Sequence, residues 1–129
     1  MAIRSQLNEP VVVNGDMSAN ITSAVTLLPK ISMVTYSYSW SGSSPSGTVI
    51  VQLSNDYALN ADSSVQNAGS WNTIPFANSS GSVVTSFSIS GNSGTGFLEV
   101  MTGAKAIRTV YTAASGSGSL QIVLNAKVT

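Results

Sequence analysis

The stretch ISMVTYSYSW, residues 31–40, alternates more cleanly than any other part of the chain. Val34, Tyr36, Tyr38 and Trp40 fall on one face, and Thr35, Ser37, Ser39 and Ser41 on the other. Successive side chains of a strand point to opposite faces, so a period of two marks a β-strand. Apolar residues on one side and hydroxyls on the other predict an antiparallel strand packed on a core by one face. The rest of the chain repeats this pattern in shorter pieces.

Toward the C-terminus, SGSSPSG (41–47) reads as a hairpin connection into GTVIVQLSNDYALNADSSVQNAGSW (47–71). This second stretch opens with another alternating run: Val49, Val51 and Leu53 against Thr48, Ile50 and Gln52. Residues 54–70 are rich in Asn, Asp, Ser and Gly without periodicity, and read as one long loop. A loop of that length is uncommon in a compact domain unless it is functional. Short strands are then expected at Trp71–Phe76, where Pro75 signals an edge or bulge, at Ser82–Ser90, and at Phe97–Met101 after a GNSGTG turn (91–96). Two more follow at Ala106–Thr112 and Leu120–Lys127, joined through SGSGS (115–119).

Toward the N-terminus, Asn20–Leu28 reads as a segment closed by Pro29. Val11–Val13 reads as the first strand, followed by a turn at Asn14-Gly15. Residues 1–10 read as an extended N-terminal arm, and 11–129 as a single β-sandwich domain. About eight strands spaced by Gly/Ser turns, with no helical period, predict an all-β fold. The expected form is an antiparallel jelly-roll-like sandwich, with an immunoglobulin-like sandwich as the alternative.

Composition narrows the function. Five cations balance five carboxylates in 129 residues. A neutral chain cannot form the basic stripe that nucleic acid binding requires, nor a polybasic patch for membranes. Histidine and cysteine are absent, which removes the commonest general base, the thiol nucleophile and the usual zinc ligands. Asp56 and Asp62 share one loop, with no second rigid element to form an acid–base pair. The expectation is a protein that is not an enzyme and needs no cofactor. Ser54, Asn55, Asp56, Asn60 and Asp62 are oxygen donors, but without EF-hand spacing they read as turn formers and no metal is expected. Trp40 reads as core; Trp71, after the loop, reads as partly exposed. Lys105 and Arg108 read as a solvated or subunit-facing pair on an edge strand. The glycosylation-like triplets at Asn20 and Asn78 read as chance.

The 24 serines and 11 threonines must serve as surface in place of charge. Val49-Ile50-Val51, Val83-Val84 and Ile122-Val123-Leu124 present apolar side chains to both faces. One face meets the core, and a neighbouring subunit is the simplest cover for the other. The N-terminus shows no apolar signal region, so a protein made in a cytoplasm, soluble, and exported, if at all, by a route other than a Sec-type signal is expected.

Two fragments carry a resemblance. VIVQLSNDY (49–57) with Trp71, and AKAIRTVYT (104–112) before GSGSL (116–120), are similar to a family of small bacteriophage virion structural proteins of capsid decoration or cement type. Residues 38–129 are covered. The resemblance implies a non-catalytic component of the virion, made in the bacterial host cytoplasm. Its implied partners are the major capsid protein and other copies of itself, with a homotrimer favoured. The same fragments are also similar to discoidin-like carbohydrate-binding modules, although the linker before Trp71 is longer here. A receptor- or glycan-binding module of a spike or tail fibre is therefore the alternative, and a shell-forming subunit a third reading. The expected contact residues are Ala2, Ile3, Arg4, Leu7 and Pro10 in the arm, with Asp56, Tyr57, Leu59, Trp71, Lys105 and Arg108 around the long loop.

Overall fold

A computed structural model describes residues 6–29 and 31–127, and every regular element among them is a strand. In chain order these are β1 (Gln6–Asp16), β2 (Ile21–Thr22), β3 (Thr26–Leu27), β4 (Met33–Ser54), β5 (Ala58–Leu59) and β6 (Val65–Asn67). They continue with β7 (Asn72–Ile74), β8 (Phe76–Asn78), β9 (Val83–Val84), β10 (Phe87–Ile89), β11 (Ser93–Met101) and β12 (Ala106–Lys127). The all-β antiparallel class follows the alternation. The partition into strands does not, and the difference is instructive.

Strands β4 and β12 are each 22 residues long and pair antiparallel from Met33↔Lys127 to Ser54↔Ala106. The serine–glycine stretches expected as hairpin connections, 41–47 and 115–119, lie inside these strands. At the middle the ladder is irregular, between Ala113 and Ser115 and again between Ser115 and Ser117. Ser44 (φ 48°) and Gly116 (φ 79°) adopt left-handed backbone there, the conformation that one class of bulge uses. A Cβ on Gly116 would lie 2.9 Å from Pro45 Cα, so only glycine fits. Pro45 falls where β4 has no ladder partner, so its missing N–H costs nothing.

The bulges also exchange faces. Even-numbered residues Val34 to Trp40 are buried in the first half of β4, odd-numbered Val49 and Val51 in the second. On β12 the buried set passes from Ile107, Thr109 and Tyr111 to Leu120, Ile122 and Leu124. Both strands flip together, so cross-strand partners keep a common face. Each half recruits its own neighbours. The first half carries β1 beside β12 and β11 beside β4; the second carries β2 and β3 beside β12, and β7 and β10 beside β4. The ladder folds over so that Phe87, paired to Val49, meets Tyr38 at 5.2 Å and Trp40 at 6.1 Å between ring centroids. One core cluster spans both halves.

Other boundaries shift for local reasons. Strand β1 begins at Gln6, inside the expected arm, and pairs Gln6↔Lys127 through Glu9↔Leu124. Pro10 lies in a register shift between Glu9 and Val13, where no ladder N–H is needed. Asn14-Gly15 is strand, paired to Gln121 and Leu120; the turn comes after Asp16, whose carboxylate accepts the Ser18 N–H. Pro75 splits the expected Trp71–Phe76 strand into β7 on one half and β8 on the other. The expected Ser82–Ser90 strand is likewise two pieces, leaving Val83 exposed and Ile89 buried. Gly94 and Gly96, read as turn residues, are interior to β11. The Trp40 ring lies over Gly94, and a Cβ on Gly96 would meet Phe87 Cζ at 2.8 Å and Tyr38 Cδ2 at 2.9 Å.

Two predictions follow from this packing. Gly94→Ala should destabilise by about 1–3 kcal/mol in denaturant melts, because the added methyl enters the Trp40 ring space. Gly103→Ala, where nothing lies within 4 Å, should stay near wild type. The hydroxyls of Tyr36 and Tyr38 are buried without a hydrogen-bond partner among the described residues, and burial pushes both phenols far above their usual range. Tyr36→Phe keeps the ring and removes the unsatisfied group, so stability should rise by about 1 kcal/mol. A clear loss in the same melts would show that the hydroxyl is needed.

Candidate interaction surface

The loop after β4 is organised by one serine. Ser54 is buried, and its Oγ accepts the N–H groups of Asp56 (3.3 Å) and Tyr57 (3.1 Å). The same hydroxyl donates to Asp56 Oδ1 at 2.8 Å. Asp56 Oδ1 also accepts the Ser70 N–H at 2.7 Å, which closes the loop across fourteen residues. Gly69 (φ 83°) makes this closure possible, since a Cβ there would lie 2.8 Å from Ser54 Oγ. The long loop is therefore not irregular throughout. It holds a small hairpin, β5 with β6, whose turn is tied by Asp62 Oδ1 accepting from the Ser64 N–H and hydroxyl.

Closing the loop delivers Trp71 onto the outer face of the second half. Its indole N–H donates to Ala68 O at 2.9 Å, and its ring sits 5.8 Å from that of Tyr57. The Arg108 guanidinium lies 4.2 Å above the Trp71 ring centroid, a contact worth about 0.5–1 kcal/mol at exposed sites. Arg108 Nε donates to Gln52 Oε1 at 2.9 Å, the residue opposite it on β4. Partial burial pulls the Arg108 pKa down, without threatening its charge. The side chain is thus held between an aromatic face and an amide, with its terminal amino groups directed to no acceptor among the described residues.

Tyr57, Trp71 and Arg108, expected as contact residues, converge into this one cluster. Asp56 is adjacent but serves as the loop clamp. Lys105 is joined to the loop through its backbone N–H, which Asn55 Oδ1 accepts at 3.1 Å. With Tyr57, Leu27, Leu28 and Pro29 it lines an apolar cleft of about 240 Å³. Leu59 is exposed on the small hairpin, away from any hydrogen-bonded partner but Val65. Arg108 does not lie on an edge strand, because β12 is flanked there by β4 on one side and by β3 and β2 on the other, and Lys105 precedes β12, its carbonyl accepting the Leu28 N–H. Ala2, Ile3 and Arg4 lie outside the described residues. Leu7 and Pro10 belong to β1, and their side chains lie outside what is described.

The first half also has an outer face, which the sequence reading did not single out. Phe97, Glu99 and Met101 point outward from β11, opposite buried Leu98 and Val100. Val123 on β12 and Val11 on β1 add to it, with Met101 68%, Val11 45%, Phe97 41% and Val123 36% exposed. The period of two in residues 97–101 was a sufficient signal for this face. Among the described residues no group of three or more carboxylates gathers as a metal site.

The loop clamp titrates. Hydrogen bonds from the Ser70 N–H and the Ser54 hydroxyl hold the Asp56 carboxyl below its ordinary value. A carboxyl depressed on folding stabilises above its unfolded pKa, near 3.9. That contribution disappears as pH falls through the lower folded value. The Ser70 amide proton resonance should therefore hold steady at neutral pH and shift below about pH 4. In Asp56→Asn that titration should be gone; a Ser70 shift unchanged by the substitution would locate the titrating group elsewhere.

No family model matches this chain, and no curated protein is similar to it in sequence. The solved structure of the SPBc2 prophage-derived protein YomS shares the fold, with a TM-score of 0.62 over 96% of this chain and 96% of that one, at 11% identity. The chain therefore has the same all-β architecture, end to end, as a protein of prophage origin.

Proposed function

We propose that this chain is a non-catalytic structural protein of a bacteriophage particle, acting as a capsid decoration or cement protein through protein–protein contacts. One observation carries the reading. The fold buries one side of the sheet and leaves apolar side chains uncovered on several strands, Val11 on β1, Phe97 and Met101 on β11, Val123 on β12 and Val83 on β9. Isolated exposed apolar residues are ordinary, but a sheet face repeating them across neighbouring strands marks a contact surface. The fold shared with a prophage-derived protein agrees with a phage setting. A sequence without histidine or cysteine, the side chains most used in catalysis, fits the non-catalytic part of the reading.

The mechanism is linkage. A protein that binds the assembled shell, but not its dissociated subunits, stabilises the shell by mass action. Several copies joined together spread that effect over several contacts. The cluster of Tyr57, Trp71 and Arg108 and the outer face of β11 are the surfaces available for it.

Heating purified shells with and without the protein tests the reading. Added protein should raise the temperature at which the shells disassemble, and sediment with them. Shells that neither bind it nor gain stability would reject the decoration role. A glycan-binding module of a spike or fibre would instead bind a glycan array and lose that binding in Trp71→Ala.

A further inference from the structure

The two outer faces of the folded ladder each carry a charge of opposite sign at their centre, Glu99 on one and Arg108 on the other, in largely uncharged, partly apolar surroundings with one lysine toward each margin. On the first half, Glu99 lies between Phe97 and Met101 on β11, and beside Thr35 on β4. On the second half, Arg108 lies beside Gln52 and beneath Trp71, with Ile50 and Val110 in the next row of the ladder. Among the described residues neither group is joined to an oppositely charged side chain, although Arg108 donates to Gln52 and stacks on Trp71. Asp16, Asp56 and Asp62 each accept hydrogen bonds from neighbouring serines. Glu99 is the one carboxylate with described side-chain surroundings that has no such partner among the described residues. Arg108 uses only Nε.

We propose that these faces dock onto one another between copies of this chain, with Glu99 of one copy accepting from the Arg108 guanidinium of the next. This deepens the reading of a multimeric structural protein by naming the surfaces that join the copies. A guanidinium fixed by stacking and by one hydrogen bond is preorganised for a carboxylate, which it can hold through two parallel N–H donors. The flanking side chains match as well: Phe97, Met101 and Val123 supply apolar area on one side, and Trp71, Tyr57 and Ile50 on the other. Lys127 sits at the margin of the Glu99 face, across two strands, opposite Met33 in the ladder. Lys105 adds positive charge near Arg108. Two different faces meeting is a heterologous contact, which closes into a ring when the rotation between copies divides a full turn. The second copy is the occupant favoured because each face offers what the other lacks, and the chain as a whole is neutral.

Light scattering on the full chain, with no phage component present, tests this directly. The wild type should show one discrete mass that is a multiple of the chain mass. Arg108→Glu and Glu99→Arg should each weaken association by roughly tenfold or more, since each sets like charges face to face. The double variant should recover the wild-type mass, and an equal mixture of the two single variants should also associate. A monomeric wild type overturns the proposal, as does a single reversal that keeps the full mass. So does a double variant that is folded by circular dichroism yet remains monomeric. Should a reversal fail to fold, Arg108→Gln and Glu99→Gln decide: both must weaken association, and wild-type mass in either rejects the contact. A wild-type monomer that still stabilises shells would remove the self-association and leave the particle role intact.

Discussion

The pairing of β4 with β12 is the contact on which the rest of this structure depends. Two strands of 22 residues pair along their length with the same register on either side of their central bulges, and every larger neighbouring strand is added to one side or the other of that ladder. Its central bulges solve a geometric problem. A continuous ladder that folds back on itself must keep the same hydrophobic side inward through the bend, and one extra residue per strand changes which parity faces the core. Because both strands change together, Tyr38, Trp40 and Leu120 on one half and Val49, Val51 and Tyr111 on the other reach a single core.

That construction also explains where the chain can interact. Burying the inner faces leaves two outer faces, each crossed by the same two long strands. Their side chains are mostly hydroxyls and amides, with apolar residues between and few charges. A surface of this kind has little electrostatic cost to remove from water, so contact with another protein face is cheaper than it would be for a densely charged surface. The loop between β4 and β7 sets the chemistry of one face. It is clamped by Ser54 and Asp56 at its base, and its closure carries Trp71 over Arg108.

Much of the candidate surface was legible from residue types. An aromatic at the end of a long polar loop, and a basic residue three positions after another in a nearby segment, pointed to Trp71, Tyr57 and Arg108. What was not legible is how they meet. Gln52 orients Arg108 because it stands opposite on the ladder, 56 residues away in sequence, and no local pattern encodes that register. The face around Glu99 went unremarked for a related reason. Its alternation is visible in residues 97–101, but the glycines before it suggested a turn, and so concealed the length of β11.

By itself the sequence determined the all-β class, the antiparallel alternation, the core identity of Tyr36, Tyr38, Trp40 and Ile122, and the scarcity of groups suited to catalysis. These follow from side-chain periodicity and composition, which act locally. Only the tertiary structure decided that the serine–glycine stretches at 41–47, 91–96 and 115–119 are largely or wholly strand. A glycine that gives φ freedom in a turn looks the same, in sequence, as one that makes room for a ring or a crossing backbone. Gly94 beneath Trp40 and Gly42 against the backbone of Gly118 are of the second kind, and their reason lies in residues distant along the chain.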